Sequence, residues 1–263
     1  MTAAPGGVAL AAGVGTRLWP LTMLRPKALC PVNNVPLLDR ALDRLRPHAG
    51  GGVSHLAVNA HHLAGQIVDH VGRRAHIVVE QPAALGTAGA LGGLRDWLDG
   101  RDALVTNADA YLPAGVDRLM TGWDRERCRL LVVEADERID FVDAHGGARY
   151  VGACLLPWHL VRRLQPVPSG LYEALWRAEE AAGRLELVRT DDVAIDCGTQ
   201  ADYLRANLHA SGGHAVVGTT AVVEGCVERC VVWDGAYVGP GERLVDCIRA
   251  GTRDQPLTVA AHT

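Results

Sequence analysis

The residues able to do chemistry start in one stretch, Gly7 to Val32, which reads GVALAAGVGTRLWPLTMLRPKALCPV. An apolar run ends in a glycine turn with Thr16 and Arg17, and a second turn carries Arg25, Pro26 and Lys27. Lys27 is the only lysine; every other basic side chain among the 26 is arginine. One lysine kept among arginines points to a task for a compact ammonium on a flexible stem, which a planar guanidinium does not perform. The plainer alternative is an accident of composition. Small residues let backbone N–H groups approach phosphate oxygens, and Thr16 and Arg17 add a donor and a full charge. GVGTR is neither a Walker loop nor a dinucleotide fingerprint, because GxxxxGK[ST] is absent and Leu18 stands where the third glycine belongs. Alone, such a loop is as readily a tight turn. Arg17, Arg25 and Lys27 crowded onto it repel one another unless they share an anion, and a polyphosphate supplies that.

Two aspartates form the second constellation. Asp109 and Asp196 each follow a short apolar run and sit in a small-residue turn, NADA and IDCGT. Carboxylates from separate strands can hold one Mg2+, which takes its remaining ligands from water and substrate phosphates. Either aspartate taken singly is equally a turn or helix cap. Asp191 and Asp192 compete nearby in a run that reads as solvated. A third candidate is the loop from Gln81 to Thr87, where a glutamine amide offers both a donor and an acceptor to a nucleobase edge and Gly86 lets backbone approach the ring. An ordinary loop glutamine is the alternative.

Elements that place these residues follow from periodicity. Apolar runs at 7–11, 54–59, 76–80, 102–106, 129–134 and 150–156 read as strands, alternating with helices over 36–45, around 63–71 and from Gly86 to near Trp97. Further helices are expected from Pro113 to Trp123, from Pro157 to Leu164, over 170–183 with Ser169 as cap, and over 200–209. Residues 135–147 read as a loop or hairpin, and 193–195 as a short strand delivering Asp196. Alternation of this kind gives an α/β, Rossmann-like, doubly wound sheet, in which ligands bind outside the carboxyl ends of the strands. Beyond Gly212 and Gly213 an apolar residue recurs every five or six positions (Val217, Val222, Val227, Val232, Val238, Leu244, Ile248), a spacing that fits about two coils of a β-helix. So few coils must pack on the main domain or on a second copy, a possible homodimer. The expected division is a main domain over 1–211, the coils over 212–251 and a disordered tail over 252–263.

Composition narrows the partners. Net charge is −4, which leaves no electrostatic footprint for nucleic acid or an anionic membrane. No apolar run approaches the ~20 residues of a membrane span, and no basic and apolar leader opens the chain, so the cytoplasm is the expected compartment. Seven cysteines without a CxxC pair argue against a disulfide framework and a zinc site. A dehydrogenase reading fails on the missing third glycine and on Asn59, which stands where the second strand would end in an acid.

These motifs together resemble the sugar-1-phosphate nucleotidylyltransferases, whose signature is LAAGxGTRLxPLT…PKxLxPV. LGTAGAL, the NAD turn and DCGTQADYLRAN follow in the family's order, over roughly residues 7 to 209. The C-terminal repeat is similar to the short left-handed β-helix of mannose-1-phosphate guanylyltransferase-like members. The shortened middle resembles N-acetylmuramate-1-phosphate uridylyltransferases and heptose-1-phosphate guanylyltransferases. The resemblance implies a nucleotide site from Leu10, Ala11, Ala12, Gly13, Gly15, Thr16, Gln81, Gly86 and Thr87. It also implies Arg17 on the leaving pyrophosphate, Lys27 near the α-phosphate and Mg2+ on Asp109 and Asp196. Asn107, Arg149, Gly152 and Glu173 would face the sugar. An NTP (GTP, UTP or dTTP) and a sugar-1-phosphate are the implied substrates. Many members carry a second lysine for the sugar phosphate; here ERIDFVDAHGGARYVGA contains none, and Arg138 or Arg149 is left to substitute. A regulatory paralogue that binds nucleotide sugars without turnover is the alternative reading.

Overall fold

The computed structural model describes residues 3–261 apart from Gly51. Its central sheet contains β1 (Gly6–Leu10), β2 (Leu56–Ala60), β3 (His76–Val79), β4 (Ala103–Asn107), β5 (Cys128–Glu134), β6 (Phe141–Asp143), β7 (Gly146–Leu156) and β8 (Leu185–Arg189). The order is β8-β5-β7-β4-β1-β2-β3, with β6 paired to β7. Strands β4, β1, β2 and β3 are mutually parallel, whereas β7 runs antiparallel to β4 and β5. The sheet is therefore mixed. Central strands such as LAVNA and ALVTN are nearly continuous apolar runs because helices cover both faces.

On one face α1 (Leu37–Leu45) and α2 (Ala64–Val71) bury Leu38, Leu42, Leu45, Ile67 and Val71 against the sheet. The other face packs α3 (Gly86–Gly93) and a helical segment made of a π turn, Tyr172–Trp176, running into Arg177–Ala181. The helix expected from Pro113 is a single turn, Asp117–Met120, bracketed by Gly115 and Gly122 in left-handed conformations. The one after Pro157 shortens to Trp158–Val161. Ser169 does not cap the next helix; its hydroxyl donates to the Val167 carbonyl. Strand β8 escapes a reading by apolar pattern because LELVR alternates charge. Those charges are satisfied locally, Glu186 by Arg129 at 2.9 Å and Arg189 by Asp143 at 2.6 Å.

After α4 (Gln200–Ala210) the chain builds three short parallel ladders. Val216–Val217 pairs with Val231–Val232, which pairs in turn with Cys247–Gly251; Val222–Val223 pairs with Tyr237–Val238, and Cys226–Glu228 with Arg243–Val245. Of the recurring apolar positions Val217 and Val222 are exposed, and their neighbours Val216 and Val223 are the ones turned inward. The tail expected to be disordered instead contains a strand. Pro256–Ala260 pairs antiparallel with Cys247–Gly251, adding backbone hydrogen bonds and shielding Ile248 and Ala250. His262 and Thr263 lie outside the described residues.

A third core joins these coils to the main domain. It gathers Leu18, Leu21, Cys30, Val32 and Leu37 from the N-terminal loops, Tyr203 and Leu204 from α4, and Val231, Trp233 and Ile248 from the coils. The Trp233 indole N–H donates to the Tyr203 hydroxyl at 2.9 Å, and that hydroxyl donates to the Pro31 carbonyl. Loss of so large a buried side chain leaves a cavity that its neighbours cannot fill. Trp233→Ala is therefore expected to lower stability by about 3–5 kcal/mol, measured by equilibrium urea unfolding of the full chain.

Candidate active site

The carboxyl ends of β1, β2 and β4 open onto one edge. From β1 the chain enters the glycine loop, where Ala11 N–H donates to Asn59 Oδ1 at 2.8 Å. Asn59 Nδ2 donates to Glu80 Oε1, and Glu80 Oε2 accepts the Leu85 N–H, each at 2.7 Å. One buried asparagine–glutamate pair thus fixes the glycine loop to the loop after β3. Gly86 has φ 70°, and a Cβ there would lie 2.6 Å from the Ser169 carbonyl oxygen. Only glycine fits.

Beyond β4 the turn to Asp109 is pinned by Arg44 of α1, which donates to Thr106 Oγ1 at 2.6 Å and to the Ala110 carbonyl at 2.9 Å. Burial, with Arg40 nearby, pulls the Arg44 guanidinium down to about 10. Ile195–Asp196 pairs antiparallel with Ala110–Tyr111, so the two aspartates meet through a two-residue ladder. Between them lies Lys27. Its ammonium donates to Asp109 Oδ2 at 2.5 Å and to Asp196 Oδ1 at 3.1 Å, with the lysine side chain only 8% exposed. Arg17 Nη2 reaches Asp196 Oδ2 at 3.3 Å.

Burial alone would depress the Lys27 ammonium, but the charges of Asp109 and Asp196 outweigh it and raise the lysine above 10.5. For Asp196 burial pushes upward, and Lys27 with Arg17 outweighs that and holds the carboxyl below 3.8. Two carboxylates gathered on one cation suit a divalent ion that takes its other ligands from phosphate and water. Among the described residues no three carboxylate, histidine or cysteine side chains form a cage that would hold a metal by themselves. The donor set fits a metal shared with substrate.

Two cavities flank this centre. One, of about 210 Å³, is lined by Leu10, Ala12, Gly13, Asn59, Gly86 and Thr87 and reaches Asn107 and Asp109. The other, of about 490 Å³, shares Asn107 and Asp109 with it and adds Asp196, Arg17, Arg138, Arg149 and Gly152 among its walls. Gly152 has φ 86° within an irregularity of β7, and a Cβ there would crowd Ala110 and Asn107 at 3.1 Å.

Most of the expected residues therefore converge, and three do not. Gln81 is exposed and outside the lining of the smaller cavity. Glu173 is exposed on the π turn, away from the larger one. Arg25 leaves the glycine loop's cations and lies over the Trp233 ring at 4.2 Å. Ala11 and Gly15 act through the backbone, Gly15 accepting the Thr22 hydroxyl at 3.0 Å. Thr16 opens a short turn over Thr16–Leu18, and Thr87 Oγ1 accepts the Leu171 N–H. Sequence reading missed Arg44, Asn59 and Glu80. Asn59, a polar residue within the apolar strand LAVNA, was the one of the three with a signal in the sequence.

Fold and edge together define an α/β protein with a polar cleft at the carboxyl ends of its central strands. Residues 7–194 match the model of the MobA-like NTP transferase domain, and the chain belongs to that family. It is 34% identical over 148 residues to the N-acetylmuramate alpha-1-phosphate uridylyltransferase of Caulobacter vibrioides, a match covering 51% of this chain and 60% of that protein. It is 31% identical over 126 residues to a putative mannose-1-phosphate guanyltransferase of Sulfolobus acidocaldarius, covering 46% of this chain and 34% of the relative. The chain thus matches less than two thirds of either relative's length. Among solved structures, one described as a mannose-1-phosphate geranyltransferase from Thermus thermophilus aligns with a TM-score of 0.70 at 19% identity. It covers 97% of this chain and 94% of its own, and so shares the fold through the C-terminal coils.

The ion cluster gives a signed pH dependence. Asp196, held below 3.8, contributes stability above that value and loses it as pH falls through its lowered one. Lys27, raised above 10.5, contributes below that value and loses it as pH rises through its raised one. The gap in urea midpoint between wild type and Asp196→Asn should narrow as pH drops from about 6 to about 3.

Proposed function

We propose that the chain transfers a nucleoside monophosphate from an NTP to a sugar-1-phosphate, releasing pyrophosphate. The observation that supports this most is the placement of Lys27, Asp109 and Asp196 between a cavity walled by the glycine loop and a larger one holding arginines. In this reading the nucleoside lies over Leu10, Ala12, Gly13, Gly86 and Thr87, with GTP, UTP or dTTP as donor. The α-phosphate lies at Lys27, and Arg17 neutralises the departing pyrophosphate.

A phosphate oxygen of the acceptor attacks the α-phosphorus in line. The bond from that phosphorus to the oxygen bridging to the β-phosphorus breaks, and pyrophosphate carries away the electron pair. Catalysis is then positioning plus neutralisation of charge spread over the transferring group. Mg2+, held by Asp109 and Asp196, would neutralise phosphate charge and bring donor and acceptor phosphates together. Lys27 donates to the α-phosphate oxygens and, with Arg17, offsets the charge of the carboxylates beside them. Arg149, half-buried and with no carboxylate partner among the described residues, is the candidate to hold the acceptor phosphate in place of a second lysine. The C-terminal ladders read as a short left-handed β-helix that closes on the main domain.

Lys27→Ala and Asp109→Ala should each lower turnover by about 100-fold or more while the protein stays folded. Lys27→Arg should not rescue, because a planar fork does not fit a slot shaped for one nitrogen between two carboxylates. Pyrophosphate release, measured with a panel of NTPs and sugar-1-phosphates in Mg2+, is the readout. Near-normal release by either alanine variant would overturn the assignment. Release by the wild type excludes a binding-only regulatory role.

A further inference from the structure

Seven cysteines are spread along the chain, and two of them meet in the C-terminal coils. Cys230 and Cys247, seventeen residues apart, bring their sulfurs to 3.5 Å at one corner. No short motif marks them, because strand register rather than sequence spacing makes the contact. Val231 pairs with Ile248 in one parallel ladder and Glu228 with Val245 in another. The residues between turn the corner in the same way on both coils: Arg229 and Asp246 are left-handed, with φ of 49° and 48°. Arg229 Nε donates to Asp246 Oδ1 at 2.8 Å. Cys230 and Cys247 therefore occupy matching places on successive coils. Parallel neighbours in register have Cα atoms about 4.8 Å apart, inside the window of about 4.4–6.8 Å that a disulfide requires.

The deeply buried cysteines behave as small hydrophobes, and burial pushes the thiols of Cys30 and Cys154 up to about 12. Cys230 goes the other way. Its hydrogen bond with the Cys247 thiol draws it below the ordinary thiol range against the effect of burial, and the same contact holds Cys247 above that range. One sulfur is thus the readier thiolate, and the other stands against it as the resolving partner of a two-step oxidation. Cys230 is fully covered, whereas Cys247 is 5% exposed and pairs with Ala260 of the outer strand Pro256–Ala260. A strand at the end of a chain opens locally at less cost than the whole fold, which admits a small oxidant to the corner.

We propose that Cys230 and Cys247 are an oxidisable dithiol that a peroxide closes into a disulfide, fastening the two coils together. The Cys230 thiolate attacks one peroxide oxygen, the O–O bond breaks, and the leaving oxygen takes up a proton as water. Cys247 then attacks the resulting sulfenic sulfur. The S–S bond forms, the S–O bond breaks, and the Cys247 proton leaves with that oxygen as a second water. Two thiols lose two electrons, and one peroxide gains them. The bridge lies just ahead of Val231 and Trp233, which enter the third core, and neither cysteine lines a cavity beside the aspartates. It stands independently of the transferase reading.

The test treats the folded full chain carrying Cys226→Ser, which removes the one exposed thiol, with hydrogen peroxide. Free thiols counted after unfolding should fall by two, dithiothreitol should restore them, and peptide mapping should find Cys230 joined to Cys247. The melting temperature of the oxidised protein should rise by about 5 °C or more, because the closed loop limits the unfolded chain. Adding Cys247→Ala should abolish both the bridge and the rise. An unchanged thiol count, a loss that dithiothreitol does not reverse, a bridge between other cysteines, or an oxidised protein that melts no higher overturns the proposal. Peptide mapping of oxidised wild type decides the matter should a variant fail to fold.

Discussion

One ammonium between two carboxylates is the interaction on which the rest of the edge depends. Asp109 and Asp196 come from the two sides of a two-residue ladder, and like charges so close would repel without a counter-ion. Lys27 supplies it from a loop more than eighty residues away in sequence, contacting both at 3.1 Å or less. A guanidinium would splay the pair, which accounts for one lysine among so many arginines. The same contact closes three segments into one unit: the signature loop, the end of β4 and the approach to α4.

That unit is buttressed from behind by the C-terminal coils. Trp233 reaches Pro31 through the Tyr203 hydroxyl, and Asn207 accepts the Asn33 N–H at 2.9 Å. Arg25, two residues from Lys27, lies over the Trp233 ring. Cys197 and Tyr111, neighbours of the two aspartates, share the third core with Val231 and Ile248. Coil packing and the placement of Lys27 are therefore mechanically connected, although no coil residue enters either cavity beside the aspartates.

Much of this was legible in the sequence because chemistry and backbone demands coincided. The glycine loop and Asp109 follow the parallel strands β1 and β4, which deliver their ends to one edge, and Asp196 reaches that edge through its short ladder with Ala110–Tyr111. What the sequence concealed were contacts between distant segments. Arg44 reads as a surface position on an amphipathic helix until its reach to Thr106 is seen. Glu80 reads as the polar end of a strand, and Gln81 beside it draws attention because its amide has base-reading chemistry. The buried residue is Glu80; Gln81 faces solvent. Arg25 was grouped with the phosphate cations by proximity in sequence, whereas a tryptophan more than two hundred residues later captures it. Apolar spacing in the coils gave the repeat but slipped by one residue at Val217 and Val222, where short strands allow either neighbour to face inward.

The final strand has a consequence for association. A stack of parallel ladders ends in unpaired backbone groups, which invite another chain to add on. Here Pro256–Ala260 turns back and occupies the free side of Cys247–Gly251, antiparallel where every earlier rung was parallel. Its first residue, Pro256, has no N–H to offer beyond that pairing. The reversal ends the parallel stack within the chain itself and leaves a short antiparallel strand that opens with proline as the outer edge.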